Sequence, residues 1–405
     1  MTRSLILSEA SSRETDAGRG AFARSWMDYL VGDRPPPSSE ARPFGVVDLF
    51  SGVGGLSLGV AKAAHDAGFE SRALFAADLD GGALAVFRRN LRPNAIFHGS
   101  VGQLVDYRVR GTGDSARFAF HPEVLEPSRE RLTESVDLVL AGPPCQGHSS
   151  LNNRTRFRDD RNALYLTVPA IAVALRAPRI VVENVPGVLR SNGSVVETAA
   201  ALFRSAGYRV SQGVVAADQL GWPQTRKRFF LIAVRDDFDL RPLDDVRTDL
   251  NRDPLPLSWA IEDLLDRNGG DQLDEVAVLS DENAKRVAWL FENDEHDMPN
   301  HLRPDCHKDG TTYGAVYGRM WWDQPSPTLT TGFLTPGRGR FVHPLRPRTL
   351  TPREAARLQG FPDWFEFSVG TEPPSKKQLG TWIGNAVPTI LGYAAALSAL
   401  GNGAS

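Results

Sequence analysis

Two side chains able to do nucleophilic or acid–base chemistry each follow an apolar run. Cys145 stands in the turn 142–147 (GPPCQG), directly after VDLVLAG (136–142), and Glu183 lies near the end of RIVVENV (179–185). If both runs are strands, these residues share the carboxyl edge where open α/β sheets bind ligands. The prolines fix the turn, and nearby amides or arginines favour the nucleophilic thiolate. A lone cysteine is otherwise more often a buried structural residue.

Glu183 and a basic run strengthen this interpretation. A carboxylate ending an apolar strand is costly to bury unless it is paired or used, and beside a ligand it can act as an acid. The run 224–228 (QTRKR) leads into RFFLIAV (228–234), so two guanidinium groups are expected at the same rim. Alone, such a run would indicate a solvated surface. Beside Cys145 and Glu183 it indicates a reaction site.

A glycine-rich turn offers a place for a cofactor. FGVVDLF (44–50) predicts a strand, 51–55 (SGVGG) a tight turn and 56–67 a helix. Such turns leave amides and a helix N-terminus facing a ligand, and Asp78, in the predicted strand 74–80, occupies the place of a ribose-binding acid. The full G-x-G-x-x-G spacing is absent, which disfavours NAD and leaves an adenosine cofactor without a pyrophosphate open.

Strands and helices alternate as far as residue 240. Further helices are predicted at 81–90 and near 162–176 and 193–206, so the expected fold class is a doubly wound α/β sheet. We predict an N-terminal extension (1–42) whose residues 22–31 could form a helix, docked or disordered. A first domain (43–240) is followed by an irregular second domain (241–345) and a return segment (346–405). A helix is predicted from Thr351, its N-cap, and another over 384–400.

Composition limits the class of protein. The 405 residues are 41% hydrophobic and 23% charged, as in soluble globular proteins. Two cysteines, Cys145 and Cys306, fit a reducing compartment, so we expect a cytoplasmic protein. A net charge of −3 disfavours a general nucleic-acid coat but permits local basic patches. Cys306, His296, His301 and His307 match no common zinc spacing, so no metal is predicted.

Seven segments resemble, in order, the motifs of the cytosine-C5 methyltransferases. They are DLFSGVGGLSLG (48–59), ADLD (77–80), GPPCQG (142–147), ENV (183–185), QTRKR (224–228), LTPREAARLQGFPD (350–363) and IGNAVP (383–388). The resemblance covers about 44–235 and 340–398. It implies a mixed, Rossmann-like sheet, with the first domain and return segment catalytic and 241–345 as target recognition domain.

The resemblance also implies a reaction, in which the cofactor is S-adenosylmethionine and the substrate a cytosine flipped out of duplex DNA. Cys145 would add to carbon-6 of the base, Glu183 would protonate its ring nitrogen, and Arg226 and Arg228 would hold its carbonyl oxygen. The implied cofactor residues are Phe50, Gly52, Gly54, Gly55, Leu56, Asp78, Leu79, Ser100, Pro144, Leu164 and Asn385. The implied DNA contacts are Gln146, Ser149, Arg319, Thr328, Arg338 and Arg340.

Three positions depart from the family's usual pattern. Leu79 stands where an aromatic residue often covers adenine, Ser100 where an acid meets the adenine amine, and His148 where phenylalanine is common. Two alternatives stay open. A tRNA methyltransferase of this scaffold usually has a Cys-Phe-Thr segment, absent here. An inactive relative usually lacks the nucleophile or the acid, and this chain has both.

The resemblance sets the expected partners as well. We expect a monomer that acts on double-stranded DNA, associated with the nucleoid and without a membrane. The expected role is restriction–modification or epigenetic marking. A cognate restriction endonuclease would then be a functional partner without a stable complex. The target DNA sequence is not deducible from one chain.

Overall fold

The computed structural model describes residues 16–36, 41–125, 136–144, 162–190, 194–267, 269–308 and 315–402. Four residues named above, Cys145, Gln146, His148 and Ser149, lie outside the described residues. The side chain of Cys306 is also outside them. The account below therefore concerns the sheet, its helices and the cavity that they form.

A seven-stranded sheet forms the centre of the protein. Its strands are β1 Arg42–Leu49, β2 Phe69–Asp78, β3 Ala95–His98, β4 Val136–Ala141, β5 Arg179–Asn184, β6 Tyr208–Ala216 and β7 Lys227–Arg235. They lie in the order β3-β2-β1-β4-β5-β7-β6. Strand β7 is antiparallel to both neighbours, and the remaining pairs are parallel. The predicted doubly wound mixed sheet is confirmed.

Two strands were not predicted, and both are edge strands. Strand β3 has only four residues, and every second one is exposed. Strand β6 is interrupted by polar and small residues, and only three of its nine residues are buried. An edge strand has one neighbour instead of two, so a long apolar run is not needed to form it.

The described part of the chain contains twelve α-helices, several of which cover the two faces of the sheet. They are α1 Asp16–Val31, α2 Gly55–Asp66, α3 Gly81–Leu91, α4 Asn162–Ala174, α5 Val195–Ser205, α6 Leu243–Asp249, α7 Leu257–Ile261, α8 Asp281–Glu292, α9 Asp305–Lys308, α10 Pro352–Gln359, α11 Lys376–Asn385 and α12 Thr389–Leu400. Helices α4 and α5 pack on the face that contains Val47 and Leu49. Helices α1, α2 and α12 pack on the opposite face, which contains Val46.

The C-terminal segment contains two helices where one was predicted. Helix α11 ends at Asn385 and α12 begins at Thr389, because Pro388 cannot donate the backbone hydrogen bond that would join them. Among the described residues, 376–400 has the length and apolarity of a membrane-spanning helix, but 78% of its most apolar window is buried inside the protein. It is therefore a pair of core helices.

Helices α2 and α12 cross in very close contact. A Cβ atom at Gly59 would lie 2.3 Å from the carbonyl oxygen of Thr389, and one at Gly392 would lie 2.7 Å from that of Leu56. Only glycine leaves room for two backbones at this distance. The crossing fixes the helix that follows the glycine turn.

Helix α1 docks on the core. The sequence left its docking open, and the structure buries Trp26 and Leu30 almost completely. The Trp26 ring packs edge-on against those of Trp222 and Tyr393, with centroids 5.2 and 5.4 Å apart. The helix also begins earlier than predicted, at Asp16.

The region after residue 240 has two kinds of packing. Residues from Leu243 to Leu264 pack into the clusters around the sheet and α10. A separate cluster forms farther along the chain, from Val287, Leu290, Met298, Val316, Tyr317 and Val342. The predicted boundary at 241 stays a prediction.

Helix α10 begins as predicted, with Thr351 as N-cap and a capping box to Glu354. The segment 262–309 is rich in Asp and Glu, and the arginines of α10 neutralise part of this acidic stretch. Arg353 pairs with Asp271 and Asp274, and Arg357, which is 1% exposed, pairs with Asp263 and Asp363. These carboxylates anchor the stretch to the core.

Candidate active site

A cavity of about 410 Å³ opens at the carboxyl edge of the sheet. Strands β1 and β4 are neighbours there, and the winding of the sheet reverses between them, which is where open α/β sheets bind ligands. All the predicted cofactor residues except Gly54 line this cavity: Phe50, Gly52, Gly55, Leu56, Asp78, Leu79, Ser100, Pro144, Leu164 and Asn385. The structure thus brings together residues from six separate segments.

The glycine turn is held by Asp78. Its carboxylate accepts hydrogen bonds from the backbone amides of Gly52 and Asp80, both at 2.8 Å. A carboxylate has about four acceptor positions, so it can still accept bonds from a ligand hydroxyl. Gly54 has φ 96°, and a Cβ there would lie 2.5 Å from the Leu91 side chain. Its role is to shape the turn.

Phe50 has a strained backbone beside this turn. Its φ of 58° is in the left-handed region, which is uncommon for a bulky residue. Such strain occurs where a ligand site requires a fixed geometry. The Phe50 side chain is thereby held at the cavity wall.

Leu79 and Trp382 lie at the edge of the cavity. Leu79 is 68% exposed, an unusual position for a large apolar side chain next to a cavity. The indole nitrogen of Trp382 donates to the carboxylate of Asp80 at 2.9 Å. Asp80 also caps α3, so this bond joins α11 to the loop after β2. Sequence reasoning missed Trp382, although it lies one helical turn from Asn385.

Asp48 is a second residue that the sequence analysis missed. It lines the cavity, is 3% exposed and accepts a 2.5 Å hydrogen bond from the Ser57 hydroxyl. Burial, together with the nearby charge of Asp78, raises the pKa of Asp48 to about 7, against the lowering effect of the Ser57 bond. The signal in the sequence was an acid inside the apolar run of β1.

Glu183 and Arg228 form a buried pair at the cavity wall. Arg228 Nε donates to Glu183 Oε1 at 2.7 Å, and Glu183 is 8% exposed. Burial raises the pKa of Glu183, although Arg228 and Arg226 act to lower it. A carboxyl held in this way is suited to carry and donate a proton.

The turn before Cys145 lies beside this pair. An ideal Cβ at Gly142 would be 3.5 Å from Glu183 Oε2, and the side-chain amide of Asn184 donates to the carbonyl oxygen of Pro143 at 3.3 Å. Pro144 itself lines the cavity. The described chain stops there, one residue before Cys145.

Arg226 has a use that the sequence did not predict. It lines the cavity and is 3% exposed. Nη1 donates to the carbonyl oxygen of Leu329 at 2.6 Å, and Nη2 to those of Gly384 and Asn385 at 3.0 and 3.5 Å. The guanidinium therefore joins backbone segments far apart in the sequence.

Two arginines predicted to contact DNA are held inside the protein. Arg319 donates to the carbonyl oxygen of Pro344 and pairs with Asp294. Arg340 donates to two carbonyl oxygens and lies over the ring of Trp321, 4.3 Å from its centroid. These side chains are 13% and 12% exposed, and their DNA contacts stay a prediction.

The other two described candidates for DNA contact differ from them. Arg338 is exposed on the surface of the region 241–345. Thr328 is partly buried, and its hydroxyl lies 3.4 Å from the carbonyl oxygen of Thr225. Both stay candidates.

Comparison with solved structures places this fold among methyltransferases. A prophage-encoded DNA modification methyltransferase of E. coli superposes with a TM-score of 0.58 at 26% identity, covering 87% of this chain and 97% of that one. The Dnmt2 methyltransferase of S. pombe gives 0.55 at 16% identity, covering 88% and 98%. At 16% identity the likeness concerns the fold alone.

Comparison of sequences gives the family. The Type II methyltransferase M1.BsuMI of Bacillus subtilis (strain 168) is 38% identical over 381 residues, which are 94% of this chain and 85% of that protein. The Type II methylase M.HgiDII of Herpetosiphon aurantiacus is 31% identical, covering 87% and 94%. The model of the C-5 cytosine-specific DNA methylase family matches residues 44–399. The chain belongs to this family, as its motifs predicted, and is a DNA cytosine-5 methyltransferase.

Proposed function

We propose that the protein methylates carbon-5 of a flipped-out cytosine in a specific duplex DNA sequence, using S-adenosylmethionine and a covalent Cys145 adduct. The observation that carries the proposal is the Glu183–Arg228 pair, buried at the wall of the same cavity that the predicted cofactor residues line. An acid beside a cofactor cavity is what addition of a thiolate to cytosine requires.

The cavity fits an adenosine-bearing cofactor. Asp78 has acceptor positions left for ribose hydroxyls, and exposed Leu79 offers an apolar surface for a flat ring. Ser100 lines the cavity where family members usually have an acid, so a hydroxyl would replace a carboxylate at the adenine amine. Bound there, the cofactor would supply an electrophilic methyl group.

The chain's own residues would prepare the base. The Cys145 thiolate forms a bond to carbon-6 while Glu183 gives its proton to the ring nitrogen, and the electron pair of the double bond becomes available at carbon-5. Arg228 keeps Glu183 oriented, and in this proposal it also donates to the carbonyl oxygen of the base. Once carbon-5 carries the methyl group, it loses its proton to a base, for which water suffices. Thiolate then leaves, and the ring nitrogen returns its proton to Glu183.

A methylation assay tests this function. Purified protein with methyl-labelled S-adenosylmethionine should label duplex DNA, and bisulfite sequencing of DNA from an expressing host should locate the target. Cys145→Ser should abolish labelling but retain DNA binding. DNA with 5-fluorocytosine should form a stable adduct with the wild-type protein, because its carbon-5 substituent cannot leave. Labelling of tRNA in preference to DNA would overturn the proposal.

The names of the relatives suggest a biological setting. Two are Type II methyltransferases or methylases, and we propose that this enzyme likewise serves restriction–modification in the cytoplasm. DNA from the expressing host should then resist one restriction endonuclease whose site contains the methylated cytosine. If every endonuclease whose site contains the mapped cytosine still cut this DNA, a role in restriction–modification would be excluded.

A further inference from the structure

Arg226 connects the cofactor cavity with the segment 328–331, which lies in the predicted target recognition domain (241–345). Its guanidinium donates to the carbonyl oxygen of Leu329 on one side and to that of Gly384, at the end of α11, on the other. Both bonds are made from a side chain that is 3% exposed. Hydrogen bonds from a buried cation are strong, so the two segments are held in one arrangement.

Helix α11 packs directly on this segment through two glycines. A Cβ at Gly384 would lie 2.5 Å from backbone atoms of Thr330 and Thr331, and one at Gly380 would lie 2.9 Å from the Thr331 carbonyl oxygen. Residues four apart share one face of a helix. Backbone therefore lies on backbone, and a shift of the helix would move the segment.

Neighbouring positions of the same helix face the cavity. Thr381, Trp382 and Asn385 all line it, and Trp382 is bonded to Asp80. A ligand in the cavity would therefore contact α11 directly. The helix contacts the cavity with these residues and the recognition segment with its glycines.

The residues that precede β7 also hold this part of the chain. Thr225 donates its amide to the carbonyl oxygen of Ser326 at 2.9 Å, and a β-bridge pairs Gln224 with Ser326. Arg226 is next in sequence. Together, the bonds of residues 224–226 link three parts of the chain: the segment 224–226 itself, residues 326–331, and α11.

We propose that Arg226 and the glycine face of α11 couple occupancy of the cofactor cavity to the placement of segment 328–331 against DNA. Arg226 is then a positioning residue. The inference rests on the proposed function, in that the cavity binds S-adenosylmethionine, and on the predicted DNA contact of Thr328, which begins the segment. A ligand that favours one arrangement of α11 favours the matching arrangement of the segment, so each ligand should tighten binding of the other by the same factor.

A binding cycle measures this factor. The affinity of S-adenosylhomocysteine, which cannot react, is measured by calorimetry with and without duplex DNA, and that of DNA by fluorescence anisotropy with and without S-adenosylhomocysteine. We expect a reciprocal effect of about 10-fold in the wild type, within the usual range of coupling. Arg226→Lys keeps the charge but not the fork that reaches both carbonyls. It should bring the factor close to one.

Two further variants sharpen the test. Gly384→Ala leaves the Arg226 side chain itself unchanged but forces the segment away from α11, and it should reduce the same factor. Arg228→Lys is the matched control: it alters the Glu183 pair and should lower turnover, yet keep the coupling. Thermal melting checks that each variant folds, and if Arg226→Lys fails to fold, Gly384→Ala carries the test.

The outcomes separate the two proposals. The coupling is overturned if the wild type binds both ligands independently, or if a folded Arg226→Lys or Gly384→Ala keeps the wild-type factor. A wild-type protein that binds no S-adenosylhomocysteine, or that methylates no DNA, contradicts the proposed function instead. Loss of the factor in both variants, with retention in Arg228→Lys, supports the inference.

Discussion

Arg228 donates to Glu183 across two neighbouring antiparallel strands, at a distance of 2.7 Å. The pair lies where β5 ends and β7 begins, so the sheet itself sets the distance between acid and cation. Burial raises the pKa of Glu183 in spite of two nearby arginines. The desolvation of this carboxyl therefore outweighs the attraction of its partner, and its protonated form is favoured relative to a solvated glutamate.

The substitution Glu183→Gln should remove the proton that Glu183 donates to the base while keeping the shape of the side chain. We expect turnover to fall by about 10²- to 10⁴-fold, the usual contribution of a positioned acid. Methyl transfer to duplex DNA is measured, with S-adenosylhomocysteine affinity as control, which should change little. Turnover within a few-fold of the wild type would remove Glu183 from the mechanism.

His343 should make the fold sensitive to acid. It is fully buried, and burial lowers its pKa from 6.5 to about 4, with Glu354 opposing and Arg348, Arg346 and Arg319 assisting. Its Nδ1 accepts a bond from the Leu345 amide at 3.0 Å, so the neutral ring suits the site.

The direction of this pH dependence follows from proton uptake on unfolding. Between pH 6.5 and 4 the unfolded chain binds a proton at this histidine that the folded protein does not, so stability falls as the pH falls. From pH 7 to 5 this residue should cost about 2 kcal/mol of unfolding free energy. Urea denaturation at both pH values measures it, and His343→Gln should show a loss smaller by that amount. The exposed His301→Gln is the control. An equal loss in all three proteins would refute the prediction.

Gly59→Ala should destabilise the protein by about 1–3 kcal/mol or more, because its Cβ has no room at the α2–α12 crossing. Gly213→Ala is the matched control, since the nearest atom to its Cβ, on the Leu243 side chain, is at 3.6 Å. Urea denaturation compares the two variants. Equal urea midpoints for the two variants would show that the crossing of α2 and α12 can relax to accommodate the added methyl group.

Arg338 and Arg340 should behave differently although only two residues separate them. Arg338 is exposed, so Arg338→Ala should leave the melting temperature unchanged and, if it contacts a phosphate, reduce the salt dependence of DNA binding by about one ion. Arg340→Ala removes bonds to two backbone carbonyls and a contact with Trp321. It should cost about 1–3 kcal/mol of stability. A reversed pattern would support Arg340 as a DNA contact.

The central strands were predictable because burial on both faces demands apolar runs. The runs at 44–50 and 179–185 became β1 and β5 almost without change, and the acid that ends the latter indicated the site. The glycine turn was also predictable, because a tight turn needs glycine at positions where the backbone φ angle is positive. Such signals lie within one stretch of chain.

The features that were missed depend on distant partners. Arg226 bonds to carbonyl groups 103 and 158 positions away, and any residue type could supply those carbonyls. Trp382 and Asp48 show their roles only once the cavity is formed. Arg319 and Arg340 also bond to distant backbone carbonyl groups, a role that their place beside glycine did not indicate.

The docking of α1 has a consequence for how the enzyme is made. Its Trp26 packs against the ring of Tyr393, which lies far downstream in the sequence and leaves the ribosome much later. At ordinary rates of translation this interval is roughly 20–70 s. During that time Trp26 can meet Trp222 but not Tyr393, so the surface that binds the helix is incomplete. Helix α1 therefore reaches its final place only after α12 has been synthesised, although it precedes every strand of the sheet in the sequence.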